Sequence, residues 1–452
     1  MNKKTGCIGI VLAGVLALSC ITVPAAEKTY TEQTRIGNIS ADSNGTIGID
    51  DATLLQRILA EVVAGDAWKR DACTKRTMDV NLDDAINIQD VTELQRYLAE
   101  LPTPYIGSTV RAVYGGQVTY PDTYAQRMLQ NTVNKYHFEG VACIIQNGEL
   151  TAFSATGTAD PQTGAPTNTK SRFCVGSLSK QFTAAAVMLL QECGALRTDD
   201  LLSQYFPECP YGNKVTLRQM LKMRSGIAEF YEESDDGYNI NELPVGSLKN
   251  TLTNNGTTQQ NRELLQSWLF AQPLKFTPGS KCVYCNSNYF LLARLVEKVS
   301  GMSYETFVTQ NILQPLGMTE TCFIDEGLSD PRVAKNAHTA KTVYVGITMG
   351  LGDIITTVSD MQRWMTSFFG TSLLSSGSIR AMTYSDSYSG YGYGVVPFGD
   401  GAWCHYGIFT SYAAFDYVSP KDRYAVFVVT NNRSTLAGEV NSMCFELNDL
   451  LL

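Results

Sequence analysis

The sequence predicts an α+β globular region preceded by a small helical module, and three observations carry that prediction. An eleven-residue segment recurs near the front, strand patterns lie at both ends of the long C-terminal region, and apolar helical patterns fill its middle. At 452 residues, 44% hydrophobic and 17% charged, the chain has the make-up of a folded protein of two to three domains. Lys and Arg number 35 against 44 Asp and Glu, a formal charge of −9. That leaves no basic excess to neutralise a phosphate backbone, which weighs against nucleic-acid binding.

Residues 1–25 read as a secretory signal. Lys3 and Lys4 form a positive start, Cys7 to Val23 is apolar, and Val23-Pro24-Ala25 offers small residues for cleavage. Cleavage would remove two lysines and leave −11. A lipid anchor on Cys20 fits less well, because Ala17-Leu18-Ser19 sets leucine one place out. The expected location is extracellular. Ten cysteines would remain, scattered and often inside apolar stretches such as Val141–Ile145, where Cys acts as a small hydrophobe. They are expected to stay as structural thiols. Cys282-x-x-Cys285 has no second pair to complete a metal knuckle.

The repeat pairs residues 51–61, DATLLQRILAE, with residues 90–100, DVTELQRYLAE, identical at eight of eleven places. Before each helical segment lies an oxygen-rich stretch. In the second, Asp79, Asn81, Asp83, the main chain of Ala85, Asn87 and Asp90 stand at loop positions 1, 3, 5, 7, 9 and 12. In the first, Ser40, Asp42, Asn44, the main chain of Thr46 and Asp51 do the same, with Gly45 at the sharp turn. A hard cation wanting six to eight oxygens is served by this spacing. These residues resemble the dockerin module, of type I, over residues 37–102. That resemblance implies two structural calcium sites, a cohesin on a scaffold protein as partner, and attachment to a cellulosome. It also implies that Ile49-Asp50, Gln56-Arg57, Ile88-Gln89 and Gln95-Arg96 read the partner. Ser40 and Asp84 depart from the family's acid and glycine, so the first loop is expected to bind calcium more weakly.

A Pro- and Gly-bearing linker follows over residues 103–118, and one globular region runs over 119–452. Residues 122–136 read as a helix. Gly140–Gln146 and Leu150–Ala155 read as strands around the Asn147-Gly148 turn. Ala413–Tyr417 and Tyr424–Thr430 read as late strands, with a final helix from about Leu436. A sheet joining the two ends is expected.

Chemistry is expected at the only Ser-x-x-Lys, Ser177 and Lys180, leading into the apolar helix Ala184–Leu190. Residues three apart share a helix face, so hydroxyl and amine can meet. The helix N-terminus and burial both favour a neutral amine. Two further elements are Tyr284-x-Asn286 before an amphipathic helix and His405-x-Gly407 before the late strands. Together they resemble the serine penicillin-recognising hydrolases: class C β-lactamases, D-Ala-D-Ala carboxypeptidases and related esterases. The resemblance implies a β-lactamase-like fold and an acyl-enzyme that needs no cofactor for catalysis. It assigns Ser177 as nucleophile and Lys180 as base. Tyr284 would be the proton shuttle and Asn286 the group that orients Lys180 and the substrate. The N–H groups of Ser177 and Ile408 would form the oxyanion hole. His405 stands where lactamases carry lysine, which favours an esterase acting on acylated plant polysaccharide over a D-Ala peptidase or lactamase. The rival from another class is a catalytically silent binding module.

Alternatives within the sequence are weaker. Tyr211-Gly-Asn213 repeats the second motif in an apparent loop, and no Gly-x-Ser-x-Gly elbow supports a Ser-His-Asp triad. His137 and His338 are expected to be plain surface or core residues.

Overall fold

The computed structural model describes residues 124–231, 257–335, 346–384, 390–399 and 401–451, together with 89, 91–92, 94–95, 246–249 and 252. The chain divides into two compact units, Met1–Arg111 and Ala112–Leu452. In the first, Gln89, Val91, Thr92, Leu94 and Gln95 are helical, where the second repeat predicts its helix. Val91 and Leu94 are buried, while Gln89 and Gln95 face outward. All eleven residues expected to ligate calcium, Asn87 included, lie outside the described residues.

The second unit is built on a six-stranded antiparallel sheet of order β2-β1-β11-β10-β9-β8. Its strands are β1 (Gly140–Gln146), β2 (Glu149–Thr156), β8 (Val396–Gly399), β9 (Ala402–Phe409), β10 (Tyr412–Ser419) and β11 (Tyr424–Thr430). The β1–β2 hairpin turns on Asn147 and Gly148 with φ of 57° and 94°. Both being positive matches the right-handed twist of the strands, and this is why Asn-Gly marks such turns. β11 pairs with β1, so the two ends of the unit close one sheet, as expected.

Alternation decides what each face does. Ala413, Phe415 and Tyr417 of β10 and Ala402 and Cys404 of β9 join a core with helices α1 (Tyr124–Lys135) and α6 (Arg433–Leu451). Each fully buried large apolar side chain in such a core contributes roughly 1.5–3 kcal/mol. The other parity, Trp403, His405 and Gly407 of β9 and Asp416 of β10, faces the helical part. That face meets α2 (Ser179–Glu192) and α5 (Val358–Thr366), where Phe182 stacks on Trp364 at 4.1 Å between centroids. Gln181 ties the layers together. Its amide accepts from Trp364 Nε1 at 2.6 Å and donates to Asp416 Oδ2 at 2.7 Å.

The helical part holds α3 (Thr258–Ala271) and α4 (Asn286–Ser300). A reciprocal Thr257–Gln260 capping box starts α3, and Gly301 at φ 72° ends α4. A short sheet of order β5-β7-β6, made of Phe173–Cys174, Ile354–Thr356 and Cys322–Phe323, anchors the chain just before α2. The remaining pair, β3 (Thr158–Asp160) and β4 (Ala165–Pro166), is peripheral. Nine described cysteines are free thiols, six of them buried, in line with structural use.

Candidate active site

Ser177 sits in a single 3-10 turn, Gly176–Leu178, that feeds directly into α2. Strand β5 and the bond from Val175 N to Ile354 O (3.1 Å) hold the approach. Lys180 lies one turn on and is fully buried. Its Nζ donates to Ser177 Oγ at 2.9 Å and to the Leu351 carbonyl at 2.8 Å. Tyr284 arrives from the loop before α4, and its Oη donates to the same Ser177 Oγ at 2.8 Å. The Tyr284 ring also lies 5.0 Å from Lys180 Nζ. Three of the expected residues thus converge on one oxygen.

This arrangement separates the two candidate bases. Tyr284 is 45% exposed as a residue, yet its phenol is raised from its ordinary value, by desolvation first, with the Glu229 and Cys285 charges adding and the bond to Ser177 opposing. A phenol so placed keeps its proton. Lys180, which touches Ser177 Oγ directly, is the other group within reach of the serine proton.

The third motif crosses the nucleophile turn from the sheet side. A β-carbon on Gly407 would stand 2.0 Å from the Val175 carbonyl oxygen, and one on Gly176 would meet the Ile408 backbone at 2.4–2.7 Å. Gly176 also needs its φ of 53°. Only with glycine at both places can the Ile408 backbone pack against the turn that carries Ser177.

His405 is buried on the same face of β9. Its Nδ1 faces the Tyr406 carbonyl at 2.8 Å and its Nε2 faces Tyr391 Oη at 2.6 Å. A carbonyl only accepts, so Nδ1 carries the proton and Nε2 accepts from the Tyr391 hydroxyl. Burial and the nearby Lys180 charge lower its pKa to about 3, so the imidazole is neutral.

Asn286 opens α4, and its hydrogen bonds run to Glu229. Glu229 Oε2 accepts from Asn286 N at 2.6 Å and from Asn286 Nδ2 at 3.2 Å. Oε1 accepts from the N–H groups of Phe230 and Tyr231 at 2.8 and 3.2 Å. Burial pushes the Glu229 carboxyl up, while these N–H groups and the Lys180 charge pull it down.

Glu229 and Tyr391 were not singled out by the sequence, though each left a trace. Glu229 is a lone acid in the apolar run Ile227–Tyr231. Tyr391 belongs to Tyr391-Gly-Tyr-Gly394, where a β-carbon on Gly394 would stand 2.5 Å from the Lys180 carbonyl. Repeated glycine marks such close backbone approach.

The decoys fall away. Tyr211 is buried and donates to the Leu269 carbonyl at 3.0 Å, within the core rather than in an open loop. His137 is an exposed turn residue with φ 48°, and His338 lies outside the described residues. Cys282 is exposed whereas Cys285 is buried with its thiol on the Ile227 carbonyl, so the pair does not converge. Among the described residues, no three His, Cys, Asp or Glu side chains cluster as a metal site would require. Also among them, no helix is long and apolar enough to cross a membrane.

The Beta-lactamase family model matches residues 125–441, spanning all of these elements. The chain belongs to the Beta-lactamase family. Members of this family are serine hydrolases. The chain is 29% identical over 329 residues to "Putative penicillin-binding protein PbpX" of Bacillus subtilis (strain 168), covering 71% of this chain and 77% of that relative. It is 29% identical over 216 residues to Penicillin-binding protein 4* of the same strain, covering 48% of this chain but only 44% of that one. Solved structures share the Beta-lactamase fold. The octameric penicillin-binding protein homologue from Pyrococcus abyssi matches with a TM-score of 0.57 at 24% identity, over 72% of this chain and 76% of that one. The D-amino acid amidase from Ochrobactrum anthropi SV3, in complex with L-phenylalanine, matches with a TM-score of 0.59 at 18% identity, over 73% and 98%.

Proposed function

We propose that this Beta-lactamase family member is a secreted, scaffold-docked serine esterase working through an acyl-enzyme. Lys180 takes the Ser177 proton as Oγ attacks the substrate carbonyl. The Ser177 and Ile408 N–H groups hold the developing oxyanion, and the Tyr284 phenol protonates the departing alcohol. Water then enters: the Tyr284 phenolate takes its proton as it attacks the acyl carbonyl, Lys180 returns its proton to Ser177 Oγ as the acyl bond breaks, and the acid is released.

The substrate preference rests on one observation, a buried His405 with both ring nitrogens engaged. A lysine there would offer a permanent cation to the carboxylate that β-lactams and peptide C-termini carry. This imidazole offers neither charge nor a spare N–H. Neutral acyl esters, such as those decorating plant polysaccharide, are therefore the favoured class. The names of the penicillin-binding relatives favour the second reading, a D-Ala-D-Ala peptidase.

The deciding experiment compares kcat/KM on a short acyl ester, a D-Ala-D-Ala peptide and a cephalosporin, for wild type and His405→Lys. Ester turnover should lead in the wild type, and His405→Lys should shift the balance toward the carboxylate-bearing substrates. Peptide or cephalosporin turnover far above ester turnover in the wild type would refute the esterase reading.

A further inference from the structure

Glu229 lies outside the three motifs, yet it holds Asn286 by two bonds. Its Oε1 is committed to two backbone donors, Phe230 N and Tyr231 N. Its Oε2 receives both the backbone N–H and the side-chain Nδ2 of Asn286. Both oxygens of Glu229 act as acceptors for N–H donors, so the Asn286 amide presents its NH₂ to it. The amide oxygen is thereby turned the other way.

We propose that Glu229 is a positioning residue that locks the Asn286 amide so that Oδ1, an acceptor, is the atom offered to the pocket of Ser177 and Lys180. This deepens the acyl-transfer reading and rests on it. The need for a lock is chemical. An unrestrained amide turns over readily, and it would then offer the pocket its NH₂, a donor, in place of an acceptor. Glu229 suits the task because four N–H groups from two chain segments fix it, leaving its own rotamer little choice. The charged and titratable groups that feel it are Lys180 on α2, and Tyr284 and Cys285 ahead of α4.

Glu229→Gln is the informative change. The Phe230 and Tyr231 N–H groups keep the amide oxygen of the new side chain, so its NH₂ must face Asn286. Two donors then oppose each other, and Asn286 relieves the clash by turning Nδ2 into the pocket. Asn286→Asp added to Glu229→Gln gives residue 286 a side-chain acceptor toward both the new amide and the pocket, while its backbone N–H opposes the new NH₂ equally in the single and the double variant.

The test measures kcat and KM on a short acyl ester, with melting temperature, for the wild type, Glu229→Gln and the double variant Glu229→Gln/Asn286→Asp. Glu229→Gln should lose about 100-fold in kcat with KM little changed. The double variant should recover at least about tenfold over Glu229→Gln, which loss of a merely structural contact would not do. If Glu229→Gln fails to fold, recovery of folding and turnover in the double variant makes the same point. A kcat within about threefold of wild type in Glu229→Gln, or no recovery in the double variant, overturns the proposal. The lock is also read without substrate, from the Asn286 side-chain amide in ¹⁵N-resolved NMR. One Nδ2 proton should be shifted downfield in wild type and lose that shift in Glu229→Gln. An unshifted pair in wild type overturns the lock even if the chain proves to be a good esterase. A shifted pair in a chain that hydrolyses no acyl donor sustains the lock while sinking the esterase reading.

Discussion

Ser177 Oγ receives hydrogen bonds from Lys180 and Tyr284 at nearly equal distances, and the difference between those donors lies in their surroundings. Residue environments also set stability against pH, and Asp416 shows how. It is fully buried, its Oδ2 accepts from Gln181, and its Oδ1 has no hydrogen-bond partner among the described residues. Burial raises its pKa to about 7, with the Gln181 bond pulling against it. The unfolded chain has an ordinary value near about 4. Between those two values the folded state holds a proton that the unfolded state has lost, so this residue's contribution falls as pH rises from about 4 to 7. His405 acts in the opposite sense, because its lowered pKa makes stability rise with pH between about 3 and 6.5. The two trends overlap, so the variant must be compared with wild type at each pH. Asp416→Asn, which mimics the protonated acid, should be the more stable protein at pH 8, by no more than about 4 kcal/mol. The gap should close by pH 4. Urea unfolding across pH checks this, and a gap independent of pH would show that Asp416 is not protonated in the fold.

At the scale of elements, local chemistry made most of the sheet legible. The Asn147-Gly148 turn and the runs 140–146 and 424–430 are short-range signals, and the strands formed where they indicated. Ser177 and Lys180 were readable because their spacing is itself a helix turn. Helix α2 was only half read: it begins at Ser179, before the apolar run at Ala184, because Lys180 and Gln181 are buried polar residues that no apolar pattern would include. Strands β8 and β9 and the β5-β7-β6 sheet were not read. The two-residue strands β5 and β6 carry no alternation, and the β5–β7 pairing joins segments more than 150 residues apart. Glu229 and Tyr391 escaped for the same reason. Each gains its role from a partner brought in by folding, Asn286 and His405, and neither has a fixed spacing from it.

The whole chain joins the hydrolase unit to a front module whose proposed work is attachment. The proposed calcium ligands of 40–51 and 79–90 would repel one another without a cation, so calcium binding and folding of the repeats should be coupled. Chelation should therefore abolish cohesin binding and leave ester hydrolysis unchanged, since every residue placed at Ser177 lies in the second unit. Pull-down on a cohesin and an esterase assay, each with and without EDTA, check this division. Loss of hydrolysis with binding intact would reverse it.

The central claim is that Ser177 carries the acyl group after activation by Lys180. Intact-protein and peptide mass spectrometry after rapid quenching with an activated ester measures this directly. Wild type should gain one acyl mass on the peptide containing Ser177, Ser177→Ala should gain none, and Lys180→Ala should label slower by several powers of ten. An adduct on another residue, or equal labelling of Ser177→Ala, would contradict the account.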